Sequence, residues 1–285
     1  MKKAVIILSV LALIAGSCGL STKKQAKAKE NNPAYQTESS EQSTEQTDEI
    51  ELDTLVIPQL PENSDIKTDV QILLPASYRG TELSDFKSML SEEWYDFYQN
   101  SITKNYFLKK ANIEIGRSYD ECSGDSTTSI SSKRNSLIFI KGIILQNEEI
   151  TSVPIKQRHV WVGEKYEFIL NGKTYVFRGD GVTVKAGLAQ GNEKISERWD
   201  EVKNYKLYLS GQGKEEQLIV AIPTFNDTFV QILWIGDLDG DGFPDFILDT
   251  SRDYEEKTVL LFLSSKAGKG EIVRVAASSG YQFDC

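Results

Sequence analysis

The stretch Trp234-Ile235-Gly236-Asp237-Leu238-Asp239-Gly240-Asp241-Gly242-Phe243-Pro244-Asp245-Phe246-Ile247-Leu248 places two short apolar runs on either side of an acidic, glycine-rich turn. Short runs of Ile, Phe and Trp bounded by Gly, Asp and Pro read as strands, so the stretch predicts strand, tight loop, strand. Counting from Asp237, aspartates stand at positions 1, 3, 5 and 9. Carboxylates this close repel one another, and a hard divalent cation removes the repulsion. Calcium takes about six to eight oxygen ligands, which side chains at these positions and a main-chain carbonyl at the seventh largely supply. The expected cofactor is Ca²⁺, and the expected ligands are Asp237, Asp239, Asp241, the carbonyl of Phe243, and Asp245. Gly242 stands where the chain turns sharply around the ion.

Working outward, the same strand-and-turn grammar repeats. Tyr166–Leu170 and Tyr175–Phe177 flank Asn171-Gly172, a pair that accepts the positive φ angles of a type I′ hairpin turn. A second hairpin is expected between Tyr205–Leu209 and Leu218–Ile222, around Gly211-Gln212-Gly213. Phe229–Ile235, Thr258–Leu263 and Ile272–Ala276 continue as short strands, as do Leu55–Ile57, Val70–Leu74, Tyr106–Leu108, Asn112–Ile115 and Leu137–Ile140. Tyr119 to Asn135 reads as a polar loop. Only between residues 84 and 99 does the period change, where Leu83, Phe86, Leu90, Trp94 and Phe97 recur at helical steps behind a possible N-cap, Ser84. The expected fold class is mainly β, an α+β arrangement of antiparallel sheets with one amphipathic helix near 84–99. The expected division is an N-terminal α+β part over 51–150 and a β-rich part over 151–285 that carries the acidic loop.

An EF-hand requires glutamate at position 12 of the loop, and this chain has Leu248 there with strand-like flanks. The arrangement Gly236-Asp237-Leu238-Asp239-Gly240-Asp241-Gly242 followed by Phe243-Pro244-Asp245 and an apolar strand instead resembles the FG-GAP and related repeats of integrin-type propellers. In that family such a loop joins adjacent strands and binds calcium through these aspartates, which is what the resemblance implies here. It extends over about Ile232 to Leu263. Propellers need about four or more blades, and no second Asp-x-Asp-x-Asp-Gly occurs. A full β-propeller is therefore not expected.

At the other end, Met1-Lys2-Lys3 precedes an apolar run, Ala4 to Ala15, too short for the roughly 20 residues that span a bilayer. This predicts an export signal over 1–17. The sequence Ala15-Gly16-Ser17-Cys18 resembles the lipobox of bacterial lipoproteins, in which the cysteine is lipidated and becomes the new N-terminus. The resemblance implies a lipid on Cys18 and membrane attachment through it. Residues 18–50 hold Ser, Thr, Gln, Lys, Asn and Glu with almost nothing apolar, a composition that cannot bury enough surface to fold and that suits a tether. The expected location is the cell envelope, lipid-anchored, on the outer membrane of a Gram-negative bacterium.

Cys122 and Cys285 remain as a possible disulfide in an oxidising compartment. His159 is the single histidine, which excludes multi-histidine zinc sites. Gly-x-Ser-x-Gly, His-Glu-x-x-His, the P-loop and the dinucleotide fingerprint are absent. Ser84-Asp85-Phe86-Lys87 and Ser101-Ile102-Thr103-Lys104 match Ser-x-x-Lys without the motifs that accompany it in penicillin-binding sites. Trp94, Trp161, Trp199 and Trp234 suit a β-rich core better than sugar platforms. With 42 acids against 32 Lys and Arg, the net charge of −10 argues against nucleic-acid binding. The expected function is that of a non-catalytic binding protein with an unidentified protein or glycan partner, possible forms being an inhibitor or immunity protein. The alternative is an envelope or polysaccharide hydrolase that uses carboxylates sequence spacing does not locate.

Overall fold

The computed structural model describes residues 68–79, 83–91, 93–144, 146–183 and 202–283, all within the unit Asp53–Cys285. The expected strand at Leu55–Ile57, the signal, Cys18, the tether, Trp199 and Cys285 lie outside the described residues. In chain order come β1 (Gln71–Leu73), β2 (Ala76–Arg79), helix α1 (Leu83–Met89), β3 (Tyr95–Gln99) and β4 (Tyr106–Lys110). Next are β5 (Glu114–Asp120), β6 (Asp125–Ser131), β7 (Ser136–Lys141), β8 (Glu149–Ser152), β9 (Lys165–Leu170) and β10 (Lys173–Thr183). The remainder is β11 (Val202–Gly211), β12 (Lys214–Thr224), β13 (Gln231–Asp237), β14 (Asp245–Asp249), β15 (Glu256–Leu263), a 3₁₀ turn at Ser264–Lys266, and β16 (Arg274–Gln282).

These strands build three antiparallel sheets: nine strands in the order β1-β7-β3-β4-β8-β13-β14-β15-β16, four in the order β12-β11-β10-β9, and three in the order β2-β6-β5. The large sheet curls until its edge strands approach, and Thr68 Oγ1 donates to the Ala276 carbonyl at 2.5 Å next to that seam. Alternation along the strands shows what the curl encloses. Val259, Leu261 and Leu263 of β15 join Phe97, Leu108, Ile138, Ile140, Trp234 and Ile247 in an inner core. Leu260 and Phe262, with Phe246 and Leu248 of β14, point the other way and pack against the four-stranded sheet through Phe168, Tyr175, Phe177 and Leu207. Strands β14 and β15 are therefore apolar on both faces, which explains their unbroken hydrophobic runs. The three-stranded sheet and α1 cover a different outer face, where Tyr78, Phe86 and Ile130 meet Leu73, Trp94 and Phe139.

Both predicted hairpins form. Asn171 and Gly172 take φ of 49° and 74°, as do Gln212 and Gly213 at 58° and 71°, and β9 pairs β10 from Leu170↔Lys173 to Lys165↔Arg178. Three expectations change. The helix predicted over 84–99 ends at Met89, and Tyr95–Gln99 is a strand. Trp94 and Phe97, which a helix would put on one stripe, sit on opposite faces of the large sheet, in the outer and inner cores respectively. Aromatic residues at 94, 95, 97 and 98 favour a strand and bury better across a sheet than along a helix. The Trp94 indole donates back to the Met89 carbonyl at 3.2 Å, holding the helix-to-strand turn. Within the polar segment Tyr119–Asn135, β6 pairs with both β2 and β5. Its Asp-Ser-Thr-Thr-Ser-Ile-Ser sequence carries one apolar side chain, Ile130, which is buried. The boundary expected at 150/151 falls inside β8, and the large sheet continues across it.

Candidate metal centre

Asp237 ends β13 and Asp245 begins β14, so the acidic loop is the connection of a hairpin whose register pairs Gly236 with Asp245. On the other flank β13 pairs with β8, Gly236↔Ser152 and Asp237↔Thr151. A side chain at Gly236 would meet the Thr151 carbonyl oxygen at 2.2 Å, so this approach of strands requires glycine. Within the loop Gly242 has φ of 85°, a left-handed conformation that reverses the chain.

This geometry brings three carboxylates together. Asp237, Asp239 and Asp245 each place an oxygen within 4.8 Å of the others, and the trio can hold a metal ion. Asp245 is fully buried. Its Oδ2 accepts from the Leu238 N–H at 2.7 Å, and its Oδ1 accepts from the Ser264 N–H at 2.8 Å and the Ser264 hydroxyl at 3.0 Å. Asp237 Oδ2 accepts from the Gly242 N–H at 3.0 Å. Its Oδ1 is buried with no hydrogen-bond partner, an acceptor that a cation would satisfy. Asp239 accepts from the Ser265 hydroxyl and from the Asp241 N–H.

Burial raises all three carboxyls above the ordinary aspartate value, Asp245 furthest, where the charge of Asp239 adds to the effect. Desolvation without a countercharge disfavours the ionised form. No lysine or arginine of the described chain makes an ion pair with these three.

Asp241 departs from the predicted ligand set. It is exposed, and its carboxylate accepts from the Phe243 N–H at 2.8 Å and the Ser264 hydroxyl at 2.9–3.0 Å. The triad that converges is Asp237, Asp239 and Asp245. Phe243 is exposed too, with the Lys173 ammonium 4.2 Å from its ring centroid, and Asn171 Nδ2 donates to the neighbouring Gly242 carbonyl at 3.2 Å. The β9–β10 turn thus supports the acidic loop from outside. Ser264 and Ser265 come from the 3₁₀ turn after β15 and were not among the predicted site residues. The β14–β15 register, with Phe246 opposite Phe262, carries the chain just past Asp245 at that turn.

The remaining candidates are structural where described. Cys122 is disulfide-bonded; Cys285, its expected partner, lies outside the described residues. His159 Nδ1 lies 3.0 Å from the Val230 carbonyl, with its ring against Phe229. Trp94 and Trp234 are buried, and Trp161 stacks on Phe229 at 4.6 Å. Among the described residues no helix is long and apolar enough to cross a membrane. No family model, curated protein or solved structure matches this chain.

Proposed function

We propose that the protein is a lipid-anchored component of the bacterial envelope whose β domain is fastened by calcium at the 237–245 loop and which binds a partner without catalysis. The observation that carries the metal reading is Asp245, a carboxylate 0 % exposed with two further carboxylates beside it and no cation from the described chain. The donors are all hard oxygens, with no histidine or cysteine in the cluster, which favours Ca²⁺ over zinc or copper. The Phe243 carbonyl, water and, on giving up its bonds to Ser264, Asp241 would complete the larger shell that calcium takes.

The ion's work in this reading is to hold three elements in place: the β13–β14 connection, the Ser264–Ser265 turn and, through the β13 ladder, β8. The anchor and tether rest on Cys18 and the polar segment after it. The non-catalytic reading rests on the absence of a catalytic motif and on the structural placement of His159.

Melting temperature in calcium and in chelator tests the metal. A ligand at about 100 times its dissociation constant stabilises by about 2.7 kcal/mol, which in a unit of this size raises Tm by roughly 5–10 °C. Superimposable melts would remove the calcium staple. Labelling with a palmitate analogue, lost in Cys18→Ser, tests the anchor.

A further inference from the structure

Between β4 and β13 the large sheet is bridged only by β8, which pairs with each neighbour over two residues: Tyr106↔Ile150 and Phe107↔Glu149 on one side, Gly236↔Ser152 and Asp237↔Thr151 on the other. Beyond Ser152 the chain keeps one bond to β13, Val153 N to the Ile235 carbonyl, and swings out before the Arg158 carbonyl accepts from Ile232 N at 2.8 Å. A sheet whose bridging strand stops short must gape, and here it does. A cleft of about 820 Å³ opens between the β3–β4 loop and the segment after β8, a size within the range of small-molecule sites.

Its lining is distinct from the acidic surface of the chain. Lys104 and Arg158 both line the cleft and are exposed, and neither side chain makes an ion pair or hydrogen bond among the described residues. The acid in the lining, Glu149, is held by Asn105 Nδ2 at 2.7 Å. Tyr106 contributes a half-buried ring, stacked on Phe97 with the ring centroids 5.4 Å apart. Gln99 adds a side-chain amide that already clamps the Lys104 carbonyl at 3.0 Å. The cleft therefore offers two cations against one carboxylate, one aromatic wall and neutral groups that both donate and accept.

We propose that this cleft binds an anionic saccharide, its acid group on Arg158 and Lys104 and its ring against Tyr106. A guanidinium pairs with carboxylate or phosphate through two parallel hydrogen bonds, an aromatic face accepts the apolar side of a pyranose, and the amides suit its hydroxyls. The proposal rests on the reading of the protein as a non-catalytic binding protein and narrows its partner, left open as protein or glycan, to a glycan. It also ties the two sites together, since Thr151 lines the cleft and pairs with Asp237.

Titration calorimetry of the calcium-loaded protein with glucuronate, glucose 6-phosphate and glucose tests it. At least one of the two acids binds, and glucose binds at least tenfold more weakly. Arg158→Ala weakens the acid at least tenfold with an unchanged Tm, and Lys104→Ala weakens it less. Binding of only one acid upholds the site and says whether carboxylate or phosphate is its natural group. Equal binding of glucose, or acid binding indifferent to Arg158→Ala, would overturn it. Silence to all three probes with an intact calcium shift sinks the cleft alone. Cleavage of a uronate oligomer in the same cell sinks the non-catalytic reading and leaves the cleft standing.

Discussion

Strand β14 begins and ends with a buried aspartate, and its two ends solve the same electrostatic problem differently. At the C-terminal end Asp249, 6 % exposed, is paired with the Lys257 ammonium and accepts from the N–H and hydroxyl of Ser251. At the N-terminal end Asp245 meets two more carboxylates and only neutral donors. A buried charge is tolerated when it is paired and hydrogen-bonded. One end of β14 carries its countercharge in the sequence; at the other, in the function proposed above, an ion from solution would supply it. The difference teaches that a buried acid is not in itself a metal signal, and that a cluster without a protein countercharge is the place to test for one.

The contrast breaks most visibly at Asp245. Asp245→Ala strands the Leu238 and Ser264 N–H groups and is expected to cost roughly 2–5 kcal/mol, with loss of the calcium-dependent part of Tm. Asp245→Asn, which keeps one acceptor, separates the two effects: smaller loss of stability, same loss of calcium response. A calcium shift retained in both variants would place the ion elsewhere.

Next in size is pH. Burial raises the carboxyls of Asp237, Asp239 and Asp245 above the usual value of 3.8. Their native forms hold protons that the unfolded chain releases, so in chelator stability is greatest below about pH 4 on this account and is lost as pH rises through the raised values. Calcium favours the ionised forms and reverses the trend, so the gap between calcium and chelator melts should widen as pH rises above the ordinary carboxylate range. A constant gap would separate the ion from these three groups.

At the self-neutralised end, Lys257→Met leaves Asp249 without its cation. The lysine is partly exposed, and the expected cost is about 1–3 kcal/mol, with an unaltered calcium shift. The smallest effect belongs to Asn171→Gly, which keeps the positive φ of the turn and removes the bond to the Gly242 carbonyl. Denaturant unfolding should show a loss of less than about 1 kcal/mol, and calcium affinity should fall slightly.

Much of this was legible in the sequence where one residue pattern admits one structure. Asn171-Gly172 demanded a hairpin, and the unbroken Phe246-Ile247-Leu248 run suited a strand covered on both faces. The helix read over 84–99 was half right, because Trp94 and Phe97 fit a helical stripe and a strand equally well until the neighbouring strands are known. Strand β6 was hidden because six of its seven side chains are polar or charged, and its pairing with β2 and β5 supplies what periodicity lacked. At the metal centre the local spacing put four aspartates in one loop, yet Ser264 draws Asp241 aside. Ser264 and Ser265 enter through the β14–β15 register, and no spacing within the loop announces them.

The seam between β1 and β16 bears on the order of events during folding. Thr68 and Ala276, joined by a hydrogen bond at 2.5 Å, are 208 residues apart. The inner core therefore cannot close until β16, so far along the chain from β1, has been made. Contacts of such sequence separation slow folding. A chain released without β16 would expose Val259, Leu261 and Leu263 along an open edge, a template for pairing with other chains.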